Sequence, residues 1–116
     1  QVCSTVNVFN VMYLEELANW IDSQSFDFIY WNMLHEAWYL SIGTMPDRAK
    51  EIAKQRLQHA VVSERHRAEF DRMIEFIDRG ASMDGQILRM KIEDLDFKRK
   101  QNLRDFLPEL ANAIDY

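Results

Sequence analysis

The chain has 116 residues, of which 47% are hydrophobic and 28% charged, the balance of one globular domain rather than a disordered segment. Fourteen Lys and Arg against nineteen Asp and Glu give a net charge of −5, which argues against sequence-independent nucleic-acid binding and against attachment to anionic membranes. No apolar run approaches the ~18 residues that would span a bilayer, and the single cysteine, Cys3, excludes an internal disulfide framework and a four-cysteine metal site. A reduced, cytoplasmic setting is the expectation. Gln stands first and leads into the apolar stretch 2–11 without the charged start of a signal peptide, so the chain reads as a C-terminal piece of something longer.

Val2 to Val8 reads as a strand, with Val2, Ser4, Val6 and Val8 on one face and Cys3, Thr5, Asn7 and Phe9 on the other. Its β-branched residues and weak polar alternation suit a buried, parallel strand. Tyr13 to Ser23 reads as a helix: Leu14, Leu17, Ala18 and Ile21 form an apolar stripe, and Glu15 and Glu16 sit in the first turn, where the helix dipole favours acids. Phe26 to Leu34 is a second predicted strand, apolar on both faces apart from Asp27 and Asn32, and expected to be covered on both sides. Strand, helix and strand in about 33 residues make a βαβ unit with a right-handed crossover.

His35 to Met45 reads as irregular. Thr44 is the expected N-cap of a helix that buries Ala49, Ile52, Ala53 and Leu57. Ser63 is expected to start the next, with Phe70, Met73, Ile74 and Ile77 as its stripe and Gly80 as its stop. Met83 to Gly85 reads as a loop, and Ile87 to Phe106 as mostly helical with a break near Met90. Pro108 and Glu109 open a last short helix ending at Tyr116. The expected fold class is therefore α/β: a βαβ unit over 1–45, then a helical extension over 46–116.

Asn7, Asn10 and Asn32 are amides in otherwise apolar strands, so each needs hydrogen-bond partners. Asn10 is placed to cap the following helix, and Asn7 and Asn32 lie toward strand C-termini, where parallel α/β folds bind ligands. His35, with Glu36 beside it, follows the second strand and is a candidate ligand contact or acid–base group, against the alternative of an ordinary loop histidine. His59 and His66 lack a partner at i+4 and do not read as metal ligands. Cys3 reads as a small packed side chain. Lys98, Arg99 and Lys100 follow Glu93, Asp94 and Asp96 at spacings that make a solvated, ion-paired helix face. No phosphate loop, dinucleotide fingerprint, zinc-protease helix or nucleophile elbow is present.

Three segments carry a resemblance: STVNVFNVMYLEELANWI, FDFIYWNMLHEAWYLSIGTMPDRAK and LDFKRKQNLRDFLPELANAI. Together they resemble the C-terminal part of radical S-adenosylmethionine (SAM) proteins with a short twitch-type extension. The matching features are the Thr5-Val6-Asn7 to Asn10 segment, the strand ending at Asn32 before Leu34-His35, the run from Met45 and Pro46 to Lys50, and the tail pattern Asp96, Arg99, Gln101, Pro108 and Glu109. The resemblance implies a parent with a partial (β/α)6 barrel, of which 1–45 would supply the last strands. It also implies a [4Fe–4S] cluster on a Cys-x3-Cys-x2-Cys loop, and cleavage of SAM to a 5′-deoxyadenosyl radical. By position in such a parent, Asn7 and Asn10 would reach the ribose or amino-acid part of SAM, and Asn32, Leu34 and His35 would border its adenine or the substrate. The cluster cysteines are absent here, so the chain alone is expected to hold no cofactor and to be inactive. Its partner would be the missing N-terminal barrel. The alternative is a non-catalytic α/β module that self-associates or binds a protein partner, because two strands leave apolar faces and open edges to cover.

Overall fold

A computed structural model describes residues 2–24, 29–34 and 40–116, with side chains from Ser4 onward. In chain order it runs β1 (Val2–Val6), a 3-10 turn (Val11–Tyr13), α1 (Leu14–Ser23), β2 (Ile29–Met33), and a second 3-10 turn (Ile42–Thr44). Then come α2 (Asp47–His59), α3 (Glu64–Arg79), α4 (Gly85–Arg99), α5 (Leu103–Phe106) and α6 (Pro108–Ala113).

This arrangement corrects the expected fold class. The chain is mostly helical, and among the described residues strand is confined to one parallel pair of five residues each, in register from Val2 opposite Ile29 to Val6 opposite Met33. It is not an α/β fold, nor a βαβ unit cut from a partial (β/α)6 barrel. The physical reason is visible at Trp31. This side chain is buried edge-on against His66 and Phe70 of α3, with ring centroids 5.6 and 5.9 Å apart. Helices expected as an outlying tail thus supply the cover of the sheet. One hydrophobic cluster runs from Val6 and Trp31 through Phe70 and Leu88 to Ile114. The expected cover on both sides of β2 is not present either: Tyr30 and Asn32, which alternate with Trp31, are exposed.

The helical stripes fall where their periods place them. Leu14, Ala18 and Ile21 are buried on α1; Ala49, Ala53 and Leu57 on α2; Phe70, Met73 and Ile77 on α3. The ends differ more. Pro46, not Thr44, occupies the N-cap of α2, and the Thr44 hydroxyl donates to the Ser41 carbonyl inside the 3-10 turn. Helix α4 runs unbroken through Met90. It starts where Asp84 accepts from the Gln86 N–H and stops at Lys100, whose φ of 54° is left-handed, with the Gln101 N–H returning to the Asp96 carbonyl. The last helix begins at Pro108 and ends at Ala113, short of Tyr116.

Side chains on α1 hold the loop between α2 and α3. Glu15 accepts the Val61 N–H and Asn19 donates to the Val61 carbonyl, both at 3.1 Å. From the other side the Arg67 guanidinium caps α2, donating to the carbonyls of Leu57, Gln58 and Ala60. Among the described residues no helix is long and apolar enough to cross a membrane.

Candidate functional site

Parallel pairing carries the C-terminal ends of both strands to the same side. Leu34 N–H donates to the Val6 carbonyl at 3.0 Å, so Asn7 and Leu34 leave the sheet side by side, with Asn32 two pairs back beside Thr5. Four of the five expected cofactor contacts, Asn7, Asn10, Asn32 and Leu34, therefore gather at one end of the sheet. The fifth, His35, lies outside the described residues, as does Glu36.

Asn7 and Asn10 close the turn after β1. The Asn7 Oδ1 accepts the Phe9 N–H at 2.9 Å, and the Asn10 Oδ1 accepts the Asn7 N–H at 3.0 Å. The Asn10 amide nitrogen donates to the Thr5 carbonyl at 2.8 Å. Both amides thus close the turn that ends β1, as asparagine side chains do in Asx turns. Asn10 occupies the N-cap position of the following 3-10 turn, but its side chain reaches backward and does not cap it. Asn32 is exposed and Leu34 half-buried.

The Asn10 contact also distinguishes the two edges of the sheet. In a parallel pair, alternate residues turn their N–H and C=O toward the partner strand. Leu34 bonds Val6, so the backbone of Thr5 points away from β2, and there the Asn10 amide covers it. On β2 the same alternation points the N–H and C=O of Trp31 and Met33 to the outer edge. Among the described residues no backbone partner meets them. This edge faces a groove of about 580 Å3 between β2 and α3. Its far wall is Arg72, Glu75, Phe76 and Arg79. Arg72, Phe76 and Arg79 recur at i, i+4 and i+7, on a face beside the core stripe. That spacing is the sequence signal that places them on one wall.

A second polar cluster ties the sheet to the helices. Trp31 Nε1–H donates to His66 Nδ1 at 3.3 Å, and His66 Nε2 lies 2.9 Å from Asp22 Oδ1. Indole is a donor only, so Nδ1 must accept and Nε2 carries the proton given to Asp22. Arg65 donates twice to the same Asp22 oxygen, from Nε at 2.9 Å and from Nη2 at 2.5 Å. A hydrogen bond from Ser63, then those from Arg65 and His66, hold the Asp22 carboxyl down at about 2, against the opposing effect of its burial. Asp22, His66 and Trp31 here form a brace between α1, α3 and β2, with His66 and Trp31 buried and Asp22 at the surface end. His59, by contrast, is exposed.

The motif residues behind the family resemblance also have work inside the fold. Lys50 is buried and donates to the Gly80 carbonyl at 2.6 Å; burial pushes its ammonium below the usual lysine range. Asp96 is buried, and its Oδ2 accepts the Leu103 N–H at 2.8 Å and the Tyr116 hydroxyl at 2.5 Å. Burial and then that bond push the Tyr116 phenol up to about 12. Pro108 opens α6, and Glu109 pairs with Arg56 of α2. Among the described residues, no group of three or more His, Cys, Asp and Glu side chains converges as metal ligands.

No family model, no curated protein and no solved structure matches the chain.

Proposed function

We propose that this chain is a non-catalytic binding module that takes an extended segment of a protein partner along the outer edge of β2. The observation that supports it is the unpartnered edge at Trp31 and Met33, set over a groove. An added strand would exchange main-chain hydrogen bonds with those two residues, while its alternate side chains entered the groove against Met33 and Phe76. Arg72, Glu75 and Arg79 would form the charged rim. Addition at β1 is disfavoured, because the Thr5 carbonyl is already taken by Asn10.

Met33→Pro tests this reading. The Met33 N–H points outward, so proline removes the donor that a docked strand needs and leaves the β1–β2 ladder its bonds. Displayed-peptide selection on the full chain should yield extended ligands whose affinity falls at least tenfold with Met33→Pro, while far-ultraviolet dichroism stays unchanged. Ligands that bind the folded proline variant equally well would refute edge docking. A wild-type dimer that Met33→Pro dissociates would identify the docked strand as a second copy.

A second reading is the C-terminal part of a radical SAM protein, with SAM or substrate bordered by Asn32, Leu34 and His35. The gathering of Asn7, Asn10, Asn32 and Leu34 at one strand end favours it. In this reading the Asn7 and Asn10 amides, which close the turn after β1, would shape the strand end rather than touch the ligand. Sequencing the coding DNA upstream of Gln1 for an in-frame Cys-x3-Cys-x2-Cys tests it. If that motif is found, SAM calorimetry on the whole protein with Asn32→Ala should show weakened binding; unchanged affinity would count against the assigned contacts.

A further inference from the structure

A cavity of about 300 Å3 opens on the side of the molecule built by α4 and α5. Its walls are apolar: Phe9 from the turn after β1, Ile92 and Leu95 from α4, Leu103 and Phe106 from α5, and Leu107 behind them. Ile92 and Leu103 are buried and fix the floor, whereas Phe106 stands 65% exposed at the rim. Three polar residues complete the lining, Asp96, Arg99 and Gln101. The Asp96 carboxylate is engaged by the Leu103 N–H and the Tyr116 hydroxyl. Arg48, Arg56, Arg65, Arg67 and Arg72 each pair with a carboxylate. Among the described residues Arg99 has no such partner.

We propose that this cavity binds a small amphipathic carboxylate, its apolar body seated between Phe9, Leu95 and Phe106 and its head on the Arg99 guanidinium with the Gln101 amide beside it. The pattern of an apolar pocket with a few convergent polar groups is that of a ligand site. Charge selects the head group. Asp96 is already hydrogen-bonded by the Leu103 N–H and the Tyr116 hydroxyl, which leaves the Arg99 guanidinium, the one cation of the lining, to take a single carboxylate. Size selects the body: at the ~30 Å3 that a water molecule takes in the liquid, the space holds about ten small groups, which fits an eight-carbon acid. The site lies apart from the β2 groove and does not depend on strand docking.

Titration of the full chain with octanoate, octan-1-ol and octylamine, followed by amide chemical shifts and calorimetry, tests the assignment. Octanoate should bind saturably and shift the amides of Leu95, Leu103 and Phe106, with octan-1-ol and octylamine at least tenfold weaker. Arg99→Gln, a change at an exposed position, should weaken octanoate about tenfold and leave octan-1-ol unchanged. Leu95→Trp, which fills the cavity from a half-buried position, should abolish binding of all three. Equal affinities for octanoate and octan-1-ol, shifts at another surface, or an Arg99→Gln variant that binds octanoate as wild type does would overturn it.

Discussion

Gly80→Ala sets two opposed effects against each other. Gly80 has φ −76° and ψ 148°, a conformation that alanine adopts freely. On backbone entropy alone the substitution would stabilise by about 0.4–1 kcal/mol. Space decides otherwise. A Cβ built at Gly80 lies 1.8 Å from the Gly43 carbonyl oxygen and 2.4 Å from its carbon, and both atoms are backbone. Reaching an ordinary C···O separation of about 3.3 Å requires the end of α3 and the 3-10 turn to part by about 1.5 Å. Overpacking of this kind costs about 1–3 kcal/mol. The same displacement strains the Lys50 bond to the Gly80 carbonyl, and a lost hydrogen bond to a charged group adds about 1.5–3 kcal/mol. A net loss of about 3 kcal/mol is expected, a large part of the ~5–15 kcal/mol that holds a domain together. Urea unfolding with a slope of about 1–3 kcal/mol/M would show it as a midpoint lowered by at least ~1 M. Gly85→Ala is the control. Its Cβ meets only the flexible end of Arg89 at 3.0 Å and Pro46 at 3.6 Å, and it should stabilise slightly. A Gly80→Ala midpoint at or above wild type would refute the close approach of the two glycines.

Two further changes test the polar interior. The Asp22 carboxyl is held at about 2 against its ordinary 3.8, so its contribution to stability is complete above pH ~4 and is lost as pH falls toward 2. Asp22→Asn should be less stable than wild type at pH 6, with the gap closing below pH 3 in acid-dependent urea melts; a constant gap would remove the charge from the explanation. The Tyr13 hydroxyl is buried and makes no hydrogen bond, although the start of α6 turns the Glu109 and Leu110 N–H groups toward it, and burial pushes its phenol up. Tyr13→Phe should therefore match or exceed wild-type stability by about 1 kcal/mol in thermal melts; a loss of that size would show that the hydroxyl is satisfied.

The candidate site was legible only in part. Asn7, Asn10, Asn32 and Leu34 do share one end of the sheet, because strand period and parallel pairing follow from β-branched, apolar runs on either side of one helix. What their side chains do was not legible. An asparagine that contacts a ligand and one that closes its own turn have the same local sequence, and only the contact from the Asn10 amide to Thr5 separates them. The groove on β2 was missed because its walls come from segments about 40 residues apart, each of which looks like ordinary strand or helix surface.

The sequence by itself determined the helices and the faces they bury. Those features rest on contacts three and four residues apart, which the spacing of Leu14, Ala18 and Ile21 or of Phe70, Met73 and Ile77 states directly. The cover of the sheet and the roles of Lys50, His66 and Asp96 were decided only by tertiary structure. Trp31 meets His66 across 35 positions and His66 meets Asp22 across 44. No local period encodes such pairings. They are fixed when burial leaves each polar group with a single reachable partner, and desolvation makes going without one costly.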